Sequence, residues 1–427
     1  MTGLLLLVAL LGMILVGIPM VAAVGITVVL YLAATGGWEL ALPQQIVAGM
    51  NGFILLALPL FILAGNLMNV GGLSMRLFDF ARALVGSLRG GMGHVTVVAS
   101  MFFSGITGSS AADIAGVGTI VIPAMKREGY TPAFSAALTS SATGVGPLIP
   151  PSSPMILYSA ITGASLGALL LAGLIPGILL GVTLMIVIAI KARLSGWEST
   201  GRFSWRHVGA TAKPAALALG MPVIILAGMG LGIFTPTESA AFAVVYALLV
   251  SAVIYRSLTA RVLYRAIVDT AVQSGEIMFV VGVSVALGWA LSNAHVPEAI
   301  AGAIDSLVPT EDLLLRVVAI LVVAIVAGLF VDPLIPVVVP IVLPTLIAFH
   351  VDLIWFGVLI TMCVVIGQVS HPGAISLAMT SKIARTDMLK VFAANTPFLI
   401  AILVFTGVIL LFPPLATWLP ELASGSR

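Results

Sequence analysis

Hydroxyls, a carboxylate and loosened backbone crowd into short stretches of an otherwise oily chain: Ser104–Asp113 (SGITGSSAAD) and Thr143–Pro151 (TGVGPLIPP). Half a chain later come Gly328–Pro333 (GLFVDP) and Gly367–Pro372 (GQVSHP). The first stretch offers Ser104, Thr107, Ser109, Ser110 and Asp113. Its companion offers Ser140, Ser141, Thr143 and backbone freed at Gly144, Gly146 and Pro147. Hard oxygen ligands suit a small hard cation. A half-helix that ends at a break points carbonyls at a cation, and one that begins there points N–H groups at an anion. A tip facing a break can therefore hold Na⁺ with few charges. Asp113 and Asp332 are the acids of the two tips, and an acid at membrane depth reads as functional. For Asp113 the competing role is a helix cap. In the second break, His371 can titrate or meet a substrate carboxylate, or it can sit as a neutral hydrogen-bonded ring. Lys and Arg are absent from all four stretches, so an anion there must be held by N–H groups, hydroxyls and bound cations.

Such chemistry needs a bilayer around it, and the composition supplies the case for one. The chain has 427 residues, 60% of them hydrophobic and 8% charged, with a mean hydropathy of +1.23. That excludes a soluble domain of this size. No basic run points to nucleic acid. Cys363 stands alone in an apolar stretch, so a buried thiol is expected and an intramolecular disulfide is excluded. The N-terminal apolar stretch lacks a basic leader and continues to Leu32, which favours the first transmembrane helices over a cleaved signal peptide. No HExxH, GxSxG or Walker A pattern occurs. This argues against an enzyme and against a self-contained ATP-driven pump.

The spacing predicts an all-α polytopic membrane protein with spans near 3–16, 20–34, 48–70, 131–161, 166–190, 214–232, 238–255, 270–293, 353–382 and 391–412. The apolar stretches 93–125 and 313–348 are too short to cross a ~30 Å core twice, which takes about 40 residues at ~1.5 Å each. With a polar centre, each reads as a re-entrant hairpin. Helices 131–161 and 353–382 read as broken in the middle by the Gly/Pro segments. Corresponding features recur at an offset of 217 to 223: Pro123 with Pro344, Pro151 with Pro372, and Ala64-Gly65 with Leu287-Gly288. This marks a repeat, with a first unit over 1–190, a linker over 191–213 and a second unit over 214–427. Helix 74–89 carries Arg76, Arg82 and Arg89, whereas 296–312 carries Glu298, Asp305, Glu311 and Asp312. The first hairpin base has Lys126-Arg127-Glu128, the second only His350 and Asp352. Residues 159–167 are uncharged, while 382–390 hold Lys382, Arg385 and Lys390. By the positive-inside rule the two repeats are inverted, and the basic linkers 191–213 and 256–265 face the cytoplasm.

The segment 104–158, from SGITGSSAADIAG through SSATGVGPLIPPSSPMILY, resembles the signature of the large membrane subunit of TRAP (tripartite ATP-independent periplasmic) transporters. Leu58–Met68 (LPLFILAGNLM) and Gly328–Pro344 (GLFVDPLIPVVVPIVLP) resemble it too, so that the likeness covers nearly the whole chain. The resemblance implies an elevator-type secondary importer of organic acids in the bacterial inner membrane. It implies Na⁺ as coupling ion, with no organic cofactor, together with a small four-helix membrane partner and a periplasmic solute-binding protein. It implies a first Na⁺ site at Ser109, Ser110, Asp113, Gly144 and Gly146, and a second at Gly328, Asp332, Gly367 and Gln368. The substrate is then expected between them, near Ser104, Thr107, Thr143, Pro151, Ser370 and His371. The family's second break usually carries a Thr-Pro-Pro-like turn, where Ser370-His371-Pro372-Gly373 stands here, a departure that fits a distinct solute or altered coupling. The rival expectation is a stand-alone Na⁺- or H⁺-coupled carboxylate carrier or antiporter working through Asp113, Asp332 and His371 without a binding protein.

Overall fold

The computed structural model describes residues 2–36, 40–70, 73–197, 203–307, 312–331, 333–370 and 374–425, and every regular element among them is helical. Among the described residues, five helices are long and apolar enough to cross a bilayer: α11 (Leu166–Leu194), α12 (Trp205–Gly230), α13 (Pro236–Leu249, extended by a π-turn to Ile254), α14 (Ala260–Asn293) and α20 (Met388–Leu411). A further pair, α3 (Ala41–Met50) and α4 (Ala57–Val70), qualifies as one span bent by 55°. Exposed Val182, Ile186, Ile190, Val272, Val404 and Leu411 line the outer faces of α11, α14 and α20, as a hydrocarbon surround requires.

The remaining elements are shorter. First come α1 (Thr2–Leu15), α2 (Met20–Thr35) and α5 (Leu73–Val85). Next are α6 (Gly91–Thr107), α7 (Ser110–Asp113), α8 (Thr119–Arg127), α9 (Pro132–Thr143) and α10 (Ser153–Thr162). The second half has α15 (Val296–Leu307), α16 (Leu313–Gly328), α17 (Ile335–Ala348), α18 (Leu353–Gln368), α19 (Ile375–Ala384) and the terminal α21 (Pro414–Ser424). At ~1.5 Å per residue α9 and α10 are roughly 18 and 15 Å long, each about half a bilayer. Polar caps set several of the starts. Thr131, Ser152 and Ser165 accept from the first-turn N–H groups of α9, α10 and α11, while Asp312, Asp352 and Asp387 do so for α16, α18 and α20. Each such cap stabilises its helix by about 1 kcal/mol.

Some boundaries differ from the sequence expectation. The span expected at 48–70 is α3 and α4 together. The Asn51-Gly52 pair ends the first helix, and a 3₁₀ turn (Phe53–Leu56) re-aims the second. Helix α14 starts ten residues before the expected 270, because the Thr259 hydroxyl caps it at Val262 N–H, and Arg261 and Arg265 therefore sit on helix rather than linker. The expected 191–213 linker is narrowed from both sides by α11 and α12. Lys191 and Arg193 lie in the last turn of α11, where cations complement the helix dipole.

Packing gathers the helices into two groups joined through α14 and through α6, which lies against α4, α5 and α12. Helix α4 lies against α13 and α14, while α3 and α2 also lie on α14. In the other group the halves interlock: α9 packs on α19 and α20, and α10 packs on α17 and α18. The main core holds Phe103, Tyr158, Phe356 and Phe398 fully buried, and a smaller cluster joins Leu10, Val28, Leu287 and Val296. Buried aromatic polar tips are partnered: Tyr158 Oη donates to Leu353 O at 2.9 Å, and Trp355 Nε1 to Ile409 O at 3.1 Å.

Candidate functional site

The first tip is built by a turn that only a residue without a side chain can make. Helix α6 ends at Thr107, Gly108 takes φ +60°, and a Cβ there would lie 1.4 Å from the Pro151 carbonyl oxygen. The Ser153 N–H donates to Gly108 O at 3.2 Å, so the tip is docked onto the start of α10. The chain then turns back through α7 and carries Asp113 beneath the end of α6. Ser104 Oγ donates to Asp113 Oδ2, and Thr107 Oγ1 donates to Oδ1. Ser104 and Thr107 are three apart on α6, hence on one face. Asp113 and Ser104 are fully buried. No side-chain cap is made at α7, and Asp113 serves the hydroxyls instead. A π-turn over Ile114–Gly118 follows, an irregularity frequent at functional sites.

The first break lies alongside. Helix α9 closes in tight turns, Gly144 N–H to Ser141 O at 3.1 Å and Gly146 N–H to Thr143 O at 3.0 Å. A methyl group on Gly146 would stand 3.0 Å from Asp113 Oδ2 and 3.3 Å from Ser104 Oγ, which puts the loosened backbone against the carboxylate. Gly144 faces the other half: a Cβ there would meet Val365 of α18 at 2.8 Å.

The second tip and break also meet backbone to backbone. A Cβ on Gly367, in the last turn of α18, would lie 2.4 Å from the carbonyl oxygen of Gly328, the last residue of α16. Gln368 Oε1 is buried with no hydrogen-bond partner among the described residues. Ser370 is buried, and its N–H donates to Gly367 O at 3.3 Å. Asp332, His371 and Pro372 lie outside the described residues.

Between the two tips opens a cavity of about 300 Å³, within the size range of small-molecule sites. Its lining is mostly apolar, with Leu157, Ile277, Val280 and Val364 among it, and Ser109, Ser110, Ser153, Gln368 and Glu276 also line it, with Pro333 of the second tip beside them. Ser110 Oγ has no partner among the described residues. Ser104, Thr107, Thr143 and Pro151, expected near the substrate, do not line this cavity. Ser104 and Thr107 are committed to Asp113, Thr143 Oγ1 donates to Ser140 O at 3.0 Å, and Pro151 packs on Gly108. Ser109, Ser110 and Gln368, expected at ions, face the cavity. Glu276, from the middle of α14, and Asn395, fully buried on α20, were not anticipated. The signal existed for both, since each is a polar residue inside a long apolar helix.

Broken short helices docked on hairpin tips, walled by long apolar helices, define a polytopic helical membrane protein with an internal cavity. The chain matches the family model described as "Tripartite ATP-independent periplasmic transporter, DctM component" over residues 4–415, and it belongs to that family as a TRAP transporter large membrane subunit. It is 34% identical to the C4-dicarboxylate TRAP transporter large permease protein DctM of Vibrio cholerae, covering 99% of this chain and 98% of that one. It is 33% identical to the ectoine TRAP transporter large permease protein TeaC of Halomonas elongata (96% and 97% covered). It is 32% identical to the sialic acid TRAP transporter large permease protein SiaM of Vibrio cholerae (90% of each). Its fold is similar to the crystal structure of the YdaH transporter of Alcanivorax borkumensis, with a TM-score of 0.58 at 13% identity over 87% of this chain and 88% of that one.

Proposed function

We propose that this chain is the translocating subunit of a Na⁺-coupled secondary importer of organic acids in the bacterial inner membrane. A periplasmic solute-binding protein delivers the solute, and a small four-helix membrane subunit completes the complex. The observation that carries the reading is Asp113, a fully buried carboxylate whose oxygens both accept from hydroxyls, with the Gly146 backbone alongside. Burying a carboxylate costs several kcal/mol, and each hydroxyl bond to a charged group returns about 1.5–3 kcal/mol. A cation completes the balance. The surrounding donors are hard oxygens, which suit Na⁺. Gly328, Gly367 and Gln368, with Asp332, would hold a second ion by the same logic.

The solute class draws on the relatives, whose names include C4-dicarboxylate and sialic acid permeases. In this reading the solute lies in the cavity against Ser109, Ser110 and Ser153. The interlocked halves, with their tips and breaks, travel as one block along a frame of α3, α4, α12, α13 and α14, in an elevator motion. The opposite charge signs of α5 and α15 support inverted repeats with tips entering from opposite sides.

Proteoliposomes containing this chain, the small subunit and a cognate binding protein test the proposal, with succinate, sialic acid and ectoine as labelled probes. Uptake is expected only under an inward Na⁺ gradient. Uptake that persists with no cation gradient sinks the coupling, and uptake by the chain alone sinks the dependence on a binding protein.

A further inference from the structure

A single buried amide touches both helix breaks. Asn395, on α20, is fully buried. The hydroxyl of Ser141, in the last turn of α9, donates to Asn395 Oδ1 at 2.6 Å. Asn395 Nδ2 donates to the carbonyl oxygen of Val369, the residue just beyond α18, at 3.0 Å. The chemistry decides which way the amide faces: a backbone carbonyl only accepts, so nitrogen must meet Val369 and oxygen must meet Ser141. Both ends lie in the turns that form the proposed cation sites. The carbonyl of Ser141 accepts from Gly144 N–H in the turn that leads to Gly146 beside Asp113. Val369 sits between Gln368 and Ser370, in the turn that Ser370 N–H closes on Gly367 O.

We propose that Asn395 is a positioning residue that couples the two breaks, so that occupation of one cation site shapes the other. The proposal rests on the reading of Na⁺ at both breaks. An ion drawn to the second break re-aims its carbonyls, and the Val369 carbonyl carries the Asn395 amide with it. The amide is gripped at its other end by Ser141, so the turn before Gly146 shifts toward the geometry an ion at Asp113 needs. A dense interior does not absorb such a shift smoothly. Coupling of this kind is reciprocal, each ion raising the affinity for the other by the same factor. The path is contiguous and short, one side chain with one hydrogen bond at each end.

The test is a Na⁺ titration of the purified full chain with its small subunit, read by intrinsic tryptophan fluorescence against choline at equal ionic strength. The wild type is expected to show a Hill slope above one. Asn395→Asp keeps an acceptor for Ser141 and loses the donor to Val369, whereas Ser141→Ala removes only the other bond. Both are expected to bring the slope to about one and to raise the Na⁺ midpoint. A purely structural role would lower thermal stability and leave the slope alone. An unchanged slope in both variants overturns the coupling. A wild-type slope of one also overturns it while leaving Na⁺ binding intact, and a response identical in Na⁺ and choline overturns the proposed function itself. Ser141→Ala deletes a single hydroxyl, so it carries the test if the Asn395 variant does not fold.

Discussion

Asp113 and Glu276 are acids within the chain's apolar body with opposite situations. Asp113 is sealed, its oxygens engaged by Ser104 and Thr107, while Glu276 stands exposed on the cavity wall. In the proposed reading, the sealed acid meets a desolvated ion. The exposed one, in the same reading, disfavours an anionic solute lodged directly beside it, since like charges ~8 Å apart at an effective dielectric of about 20 cost about 2 kcal/mol. Asp113→Asn keeps the shape and removes the charge. It is expected to weaken Na⁺ binding at least about tenfold, the equivalent of losing one charged hydrogen bond of about 1.5 kcal/mol. Uptake at fixed solute should fall with it and recover in part at high Na⁺. Ser104→Ala, which leaves the carboxylate in place, should cost less. A Na⁺ titration of Asp113→Asn that overlays the wild type would show that the ion binds elsewhere.

Each hairpin tip meets its break with almost no side chain between them: Gly108 against Pro151 in the first half, Gly328 against Gly367 in the second. That closeness lets loosened carbonyls converge, and it leaves no room for a methyl. Gly367→Ala would place Cβ 2.4 Å from Gly328 O, with a backbone atom rather than a pliant side chain as the obstacle. The second unit must then open. The variant is expected to lose thermal stability by about 1–3 kcal/mol, as overpacking does, and to lose most Na⁺-dependent uptake. Wild-type uptake from Gly367→Ala would show that this contact is not needed for transport. Much of this arrangement was legible in the sequence, because glycine, proline and hydroxyls in an apolar chain have few other uses. The membrane class and the family could be read from composition and from segment 104–158. What could not be read was which hydroxyl faces which partner. Ser104 and Ser110 lie on either side of the same turn, and only the φ of Gly108 sends Ser104 to Asp113 and Ser110 to the cavity. Asn395 and Glu276 escaped because their partners lie far away in sequence, across contacts no local pattern announces.

At the scale of the whole molecule, the proposed motion requires that tips and breaks slide past the frame helices, and the structure offers a place to stop them. Gly105 of α6 lies against Pro222 of α12, where a Cβ on Gly105 would be 3.3 Å from the Pro222 Cβ. Gly49 of α3 lies against Val285 of α14, with a corresponding distance of 2.9 Å. A disulfide spans ~3.5–4.5 Å between Cβ atoms, so the first pair is just short of that range, and the second reaches it once α3 and α14 ease apart by about half an ångström. The first pair joins the proposed moving block to the frame, and the second lies within the frame. Cys363, the chain's single cysteine, is buried and stays out of the exchange. Oxidised Gly105→Cys/Pro222→Cys is expected to stop Na⁺-driven uptake and to regain its activity on reduction, the reduced form controlling for the substitutions themselves. Oxidised Gly49→Cys/Val285→Cys should transport as well oxidised as reduced, because those helices need not part. If the cross-frame disulfide forms, as shown by a mobility shift, and uptake continues at the reduced rate, then α6 and α12 do not move relative to each other. Transport would then have to proceed by smaller movements of the tips around a fixed body.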